Sequence, residues 1–227
     1  MRVALPVALS LVASFLFSQA PGAAAPEKIR YAAIGDSYSS GEGASPELSW
    51  PALLARHLRA SGLDIDLVAN PSRTGWTTGD AIDSELPVFI QARPDFATLQ
   101  IGVNDWVQGV DAATFQKHLV ILLDKMLAVL PDRTRLLVVT IPDFSVTPAG
   151  ASFGGGRDIS AGLAAFNAII LHEAEKRGVK AVDIFGLSRH VRDDPGLVAE
   201  DGLHPSAKEY AAWEKLIFPA ARKLLSD

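Results

Sequence analysis

The chain contains no cysteine in 227 residues, so no disulfide can brace it and its fold rests on a hydrophobic core alone. It has no excess of basic charge: 21 Lys and Arg stand against 26 Asp and Glu, a formal net charge of -5. That balance gives no electrostatic reason to expect nucleic acid or an anionic membrane surface as a partner. Internal repeats, low-complexity linkers and composition breaks are absent beyond the first 25 or so residues. A single domain is expected, and about 200 residues suffice for a sizeable core.

The one long apolar run is N-terminal. "MRVALPVALSLVASFLFSQAPGAAAPEK" has an Arg near its start, apolar residues from Val3 to Phe17, then small residues with prolines. This charged, apolar, small-residue order reads as a secretory signal over residues 1–25, cut between Ala20 and Ala25. The run is shorter than the ~20 residues that a membrane span needs. The expectation is a mature domain over residues 26–227, secreted or periplasmic, with no transmembrane span after signal removal. A monomer is expected.

After the signal, short β-type runs alternate with helical stretches, the pattern of an α/β sheet. Strands are expected at Ile29–Gly35, Leu63–Ala69, Asp95–Gly102, Arg135–Pro142 and Val179–Phe185. Helices are expected from Ser49, as N-cap, to the stop at Gly62, over Thr114–Leu130, over Ile159–Arg177 and from Ser206 to the end. The third and fourth strands are nearly continuous apolar runs, as in a parallel sheet covered on both faces. The expected fold is therefore a three-layer α/β/α sandwich around a five-stranded parallel sheet. The Gly-rich stretch "DFSVTPAGASFGGGRD" reads as a long irregular loop.

In an open α/β sheet, ligands bind beyond the carboxyl ends of the strands. Ser37 follows the first strand in "IGDSYSSGEG", Gly75 lies in "NPSRTGWTTG", Asn104 in "GVNDW", and Asp201 and His204 in "DGLHPS". A serine needs a base and a site for the developing oxyanion before it becomes a nucleophile. Asp201, three residues before His204, suits the role of orienting the ring so that its other nitrogen takes the serine proton. Asn104 can donate its amide and Gly75 a backbone N–H to an oxyanion. Ser39 and Ser40 lie further past the strand end. His57, His118 and His172 fall inside expected helices, which leaves His190 as the rival to His204. Trp50, Trp76 and Trp106 lie in or near these loops as candidates for an apolar wall, with Phe144 and Phe153 on a flap over the acyl pocket.

These four blocks, in this order, resemble the SGNH (GDSL-type) hydrolases. The resemblance spans Ile34 to Ser206, with Ser37 in the nucleophile position, Gly75 and Asn104 as oxyanion donors, and Asp201 and His204 in the last block. Tyr38 replaces the Leu of the literal GDSL string, and Ser72 stands where many members carry a glycine. The resemblance implies a flavodoxin-like fold and ester hydrolysis through an acyl-serine intermediate, with no metal and no cofactor. The oxyanion hole would comprise the Ser37 and Gly75 amides and the Asn104 side chain. Substrates across the family run from lipid and aryl esters to thioesters and acetylated sugars, so the fold does not choose among them.

Two rival readings come from other classes. A metal-dependent phosphohydrolase would use Asp36, Asp105, Asp143 and Asp201 along the same rim. The ordered Ser, Gly, Asn and His blocks argue against it. A non-catalytic exported binding module on this fold would characteristically lack the nucleophile or the base, and both are present.

Overall fold

The computed structural model describes Met1 and residues 28–226. The expected signal sequence lies outside the described residues. Five parallel strands, β1 (Ile29–Gly35), β2 (Ile65–Ala69), β3 (Phe96–Gln100), β4 (Leu136–Val139) and β5 (Lys180–Val182), form one sheet in the order β2-β1-β3-β4-β5. This is the flavodoxin-like doubly wound order, whose direction reverses between β1 and β3. Every residue of β3 and β4 is buried, which is why both read as nearly continuous apolar runs. Each strand is shorter at one or both ends than its expected span, except β1.

The helices form two layers. The short helix α1 (Ser37–Ser40) follows β1, and α2 (Trp50–Ala60) covers one face with the C-terminal helix over Ala207–Leu224. The other face carries α3 (Thr78–Asp80), α4 (Leu86–Ala92), α5 (Val103–Gln108), α6 (Ala112–Val129) and α7 (Ile159–Lys176). The short α8 (Phe185–Ser188) and α9 (Ala207–Leu224) complete the chain. Caps set several starts: Asp111, Asp158 and Ser206 accept backbone N–H bonds from the first turns of α6, α7 and α9. Ser49 occupies the N-cap position of α2, but its hydroxyl donates to the Pro46 carbonyl instead of accepting from the helix. Among the described residues, no helix is long and apolar enough to cross a membrane.

Besides the short helices α1, α5 and α8, which no expected helix covers, two longer segments differ from the expected plan. Residues 78–92, which carry no expected element, are helical throughout, with a π-helical turn at Ala81–Glu85 between α3 and α4. The extra residue of that turn breaks the 3.6-residue apolar period that would have marked a helix. The Gly-rich stretch after β4 contains two 3-10 turns, Phe144–Val146 and Gly150–Phe153. It is tied down by Asp143, which accepts from the Ser145 and Ser160 hydroxyls, and by an Ala149 amide bond to the Gly202 carbonyl.

Candidate active site

At the end of β1 the chain passes through Gly35, where an added Cβ would lie 2.2 Å from Ser39 Oγ and 2.4 Å from the Gln100 carbonyl oxygen. No side chain fits there, so only glycine lets β1 run this close to α1 and β3. Asp36 then caps α1, its carboxylate accepting from the Tyr38 amide at 3.0 Å. Ser37, at the first position of α1, lines an open cleft of about 350 Å³. The neighbouring serines face elsewhere: Ser39 is buried against Gly35, and the Ser40 hydroxyl donates to the Ser37 carbonyl at 3.0 Å.

His204 lines the same cleft. Its Nδ1 lies 2.6 Å from Asp201 Oδ2, while Asp201 Oδ1 accepts from the Leu203 and His204 amides at 2.8 and 2.9 Å. One carboxylate thus shapes the turn and holds the ring, leaving Nε2 as the free nitrogen. Burial pushes the Asp201 carboxyl up, but the Leu203 amide, the His204 ring and the His204 amide outweigh it and hold the group below the ordinary carboxylate range. Tyr38, the residue that departs from the GDSL string, sets its ring edge-on to the His204 ring at 6.1 Å and packs on Trp213 at 5.7 Å. It therefore contributes directly to the seat of that ring. Among the described residues, no hydrogen bond joins Ser37 to His204. Such bonds are often long before substrate enters.

Asn104 also lines the cleft, delivered by the turn at Gly102 that opens α5. Gly102 has φ 123°, and an added Cβ would meet the Phe115 ring at 2.6 Å, so this turn requires glycine. The Asn104 amide nitrogen donates to the Trp76 carbonyl at 2.9 Å, and the Gln108 amide donates to the Gly75 carbonyl at 2.9 Å. Gly75 and Trp76 thereby sit against α5, although neither lines the cleft itself. Asp105, read in the sequence only as a rim carboxylate, is fully buried and accepts from both the amide and the hydroxyl of Thr78.

The cleft walls are apolar: Val103 and Val107 of α5, Phe144, Phe153 and Leu203. Trp106 is buried behind them, edge-on to Phe144 at 6.3 Å, and supports the wall without lining it. Trp50 is a core residue whose indole N–H donates to the Gln100 side chain at 2.7 Å. A second, smaller hollow lies behind His204 and Leu203, with Trp213 and Val191 among its walls. The other histidines are placed apart from Ser37: His57 pairs with Glu214, His118 meets Thr78, and His172 and His190 are exposed. Asp36, Asp105, Asp143 and Asp201 each hold local donors. Among the described residues, no three His, Cys, Asp or Glu side chains are grouped to hold a metal ion.

Over 198 residues the chain is 31% identical to an arylesterase of Vibrio mimicus, covering 87% of this chain and 88% of that one. It is 24% identical over 196 residues to the esterase TesA of Pseudomonas aeruginosa, covering 85% and 87% of the two chains. The crystal structure of a lipase/acylhydrolase from Enterococcus faecalis superposes with a TM-score of 0.70 at 18% identity, over 86% of this chain and 96% of that one, a likeness of fold. The family model of the GDSL-like lipases/acylhydrolases matches residues 33–212, from the end of β1 into α9. The chain belongs to the GDSL-like lipase/acylhydrolase family and is a hydrolase acting on ester bonds.

Proposed function

We propose that the protein hydrolyses carboxylic esters with Ser37 as nucleophile, His204 as base and Asp201 as the group that orients it. The observation that carries this reading is the cleft shared by Ser37 and His204, with Asp201 2.6 Å behind the ring. His204 Nε2 takes the Ser37 proton as the oxygen attacks the ester carbonyl, and the same proton passes to the departing alcohol. Water then enters, gives its proton to His204 and attacks the acyl-serine. The C–O bond to Ser37 breaks and the hydroxyl recovers the proton. The Ser37 and Gly75 amides and the Asn104 side chain are the proposed oxyanion donors. A fluorophosphonate probe should label Ser37, and Ser37→Ala should abolish both labelling and turnover while leaving thermal unfolding unchanged. A Ser37→Ala protein with near-full esterase activity would end this assignment.

The substrate reading is a small apolar acyl, aryl or lipid ester, because Val103, Val107, Phe144 and Phe153 offer the cleft no charged partner. Similarity to an arylesterase supports the aryl class. p-Nitrophenyl esters of increasing chain length, assayed beside an acetylated polysaccharide and an acyl thioester, separate this reading from carbohydrate O-acetylesterase or thioesterase activity. Turnover confined to the polysaccharide would overturn it.

We also propose that the chain is exported, secreted or periplasmic, after removal of residues 1–25, and acts as a monomer with its ester substrate as ligand. The N-terminal order of Arg2, the apolar Val3–Phe17 run and the small residues to Ala25 supports export. N-terminal sequencing of the extracytoplasmic protein tests the cut, and size-exclusion chromatography with light scattering tests the monomer.

A further inference from the structure

Glu85 ends the π-helical turn, is 0% exposed, and takes no part in the proton transfers described above. Its Oε2 accepts the Gly35 amide at 3.0 Å, across 50 positions of sequence. The bond answers a gap in the sheet. β2 pairs with β1 only as far as Ala32, so on that side no strand carbonyl is available to the Gly35 amide. A buried amide without an acceptor would cost about 1–3 kcal/mol. The carboxyl group of Glu85 supplies the missing acceptor two residues before Ser37. Its other oxygen, Oε1, has no hydrogen-bond partner among the described residues, and neither has the buried hydroxyl of Ser72.

We propose that Glu85 is a positioning residue for ester hydrolysis, holding the Gly35–Asp36–Ser37 turn through a neutral carboxyl group. The inference rests on Ser37 being the nucleophile. Glu85 has no cationic partner among the described residues, and a proton on its carboxyl spares the core a buried, unpaired carboxylate oxygen. Burial raises the Glu85 carboxyl to about 8; the Gly35 amide pulls against that, and the Asp36 and Asp80 carboxyls add to it. Asp36 in turn faces Asp105, so the groups packed around the turn are predominantly acids and a further charge is opposed from several sides. Loss of the proton would leave a buried, unpaired charge on the group that holds the Gly35 amide, two residues before Ser37, and turnover would fall as pH rises.

The test compares Glu85→Gln and Glu85→Ala with the unaltered protein on p-nitrophenyl acetate from pH 6 to 10, with Ser37→Ala as control. Gly35 amide exchange is followed by NMR. Glu85→Ala should lower kcat about 10- to 100-fold with KM within about 3-fold, and speed Gly35 exchange about 10-fold or more. Glu85→Gln, which keeps an acceptor for Gly35 and cannot ionise, should stay within about 3-fold in kcat at pH 7 and hold its activity above pH 8, where the unaltered protein declines. Should the Ala variant fail to fold, the alkaline response of the Gln variant decides alone. An Ala variant with unaltered kcat, or a Gln variant with an unchanged alkaline decline, overturns the proposal. An active Ser37→Ala protein would instead bring down the nucleophile assignment.

Discussion

Asp105 clasps Thr78 with both of its oxygens, 2.8 Å from the amide and 2.5 Å from the hydroxyl, and so fastens the segment after β2 to the helix that presents Asn104. The two proposed oxyanion donors that come from outside α1, Gly75 and Asn104, lie on the two sides of this clasp. Their spacing depends on a side chain that hydrogen-bonds neither.

Asp105→Ala should therefore lower kcat about 10- to 100-fold through misplaced donors. It should also lower stability by about 1–3 kcal/mol, since the Thr78 amide is left buried without an acceptor. Asp105→Asn, which keeps one acceptor, should fall between. Kinetics on p-nitrophenyl acetate together with urea unfolding check both effects. Unaltered kcat in a destabilised Ala variant would reduce Asp105 to a structural residue.

Asp201→Ala leaves His204 without the partner that fixes its tautomer. A loss in kcat of about 10³- to 10⁴-fold is expected, with KM little changed. The folded state holds the Asp201 carboxyl below its ordinary value, so its contribution to stability is present above the usual carboxylate range and is lost as pH falls through the lowered value. The pair is partly exposed, with Asp201 at 42%, so the kinetic loss is the main readout. A steady-state comparison at pH 8 decides it: a variant within tenfold of the unaltered kcat would show that the ring is oriented by something else.

The meeting of Ser37, Asn104 and His204 in one cleft is legible in the sequence because Ser37 and Asn104 stand just past strand ends and His204 carries Asp201 three residues before it. Glu85 and Asp105 are not legible in the same way. Their work is done across 50 and 27 positions of chain, and nothing in "DSELP" or "VNDW" announces the amide that each will meet. The helix over residues 78–92 escapes detection because its π turn shifts Leu86 and Phe89 out of step with Ala81. Trp50 reads as a loop aromatic near the site, yet its indole finds Gln100 in the core. The stretch from Asp143 to Asp158 reads as a free flap on its glycines. What restrains it is a set of side-chain bonds, with Arg157 foremost, that have no local signature.

Arg157 donates to the Trp106 and Val107 carbonyls at 2.6 and 2.9 Å, and its guanidinium lies 4.0 Å over the Trp106 ring. It thus caps the C-terminal end of α5 and ties the segment carrying Phe153 to the helix carrying Asn104. Arg157→Ala should cost about 1 kcal/mol and lower Tm by about 2–4 °C. Because the wall formed by Phe144 and Phe153 loosens, kcat/KM for octanoate relative to acetate esters should change by about 3- to 10-fold. Deletion of Gly154–Gly156 should shift chain-length preference as well. An unchanged profile in both proteins would show that this segment does not shape the acyl site.

Asp36 links the turn at Ser37 to the pH dependence of stability. Burial lifts its carboxyl to about 7 despite the Tyr38 amide, and the neighbouring Asp105 adds to the rise. The folded value lies above the unfolded one, so the folded state holds its proton more tightly. The resulting stability is fully present below the unfolded value near 4 and is lost as pH rises toward and through 7. Asparagine caps a helix as well as aspartate and cannot ionise. Asp36→Asn should therefore gain stability relative to the unaltered protein between pH 5 and pH 8, by a margin on the order of 1 kcal/mol at the upper end. Urea unfolding at pH 5, 6.5 and 8 measures that margin. A margin that stays constant would mean that Asp36 is already ionised at pH 5, and that the Tyr38 amide outweighs the burial of the turn.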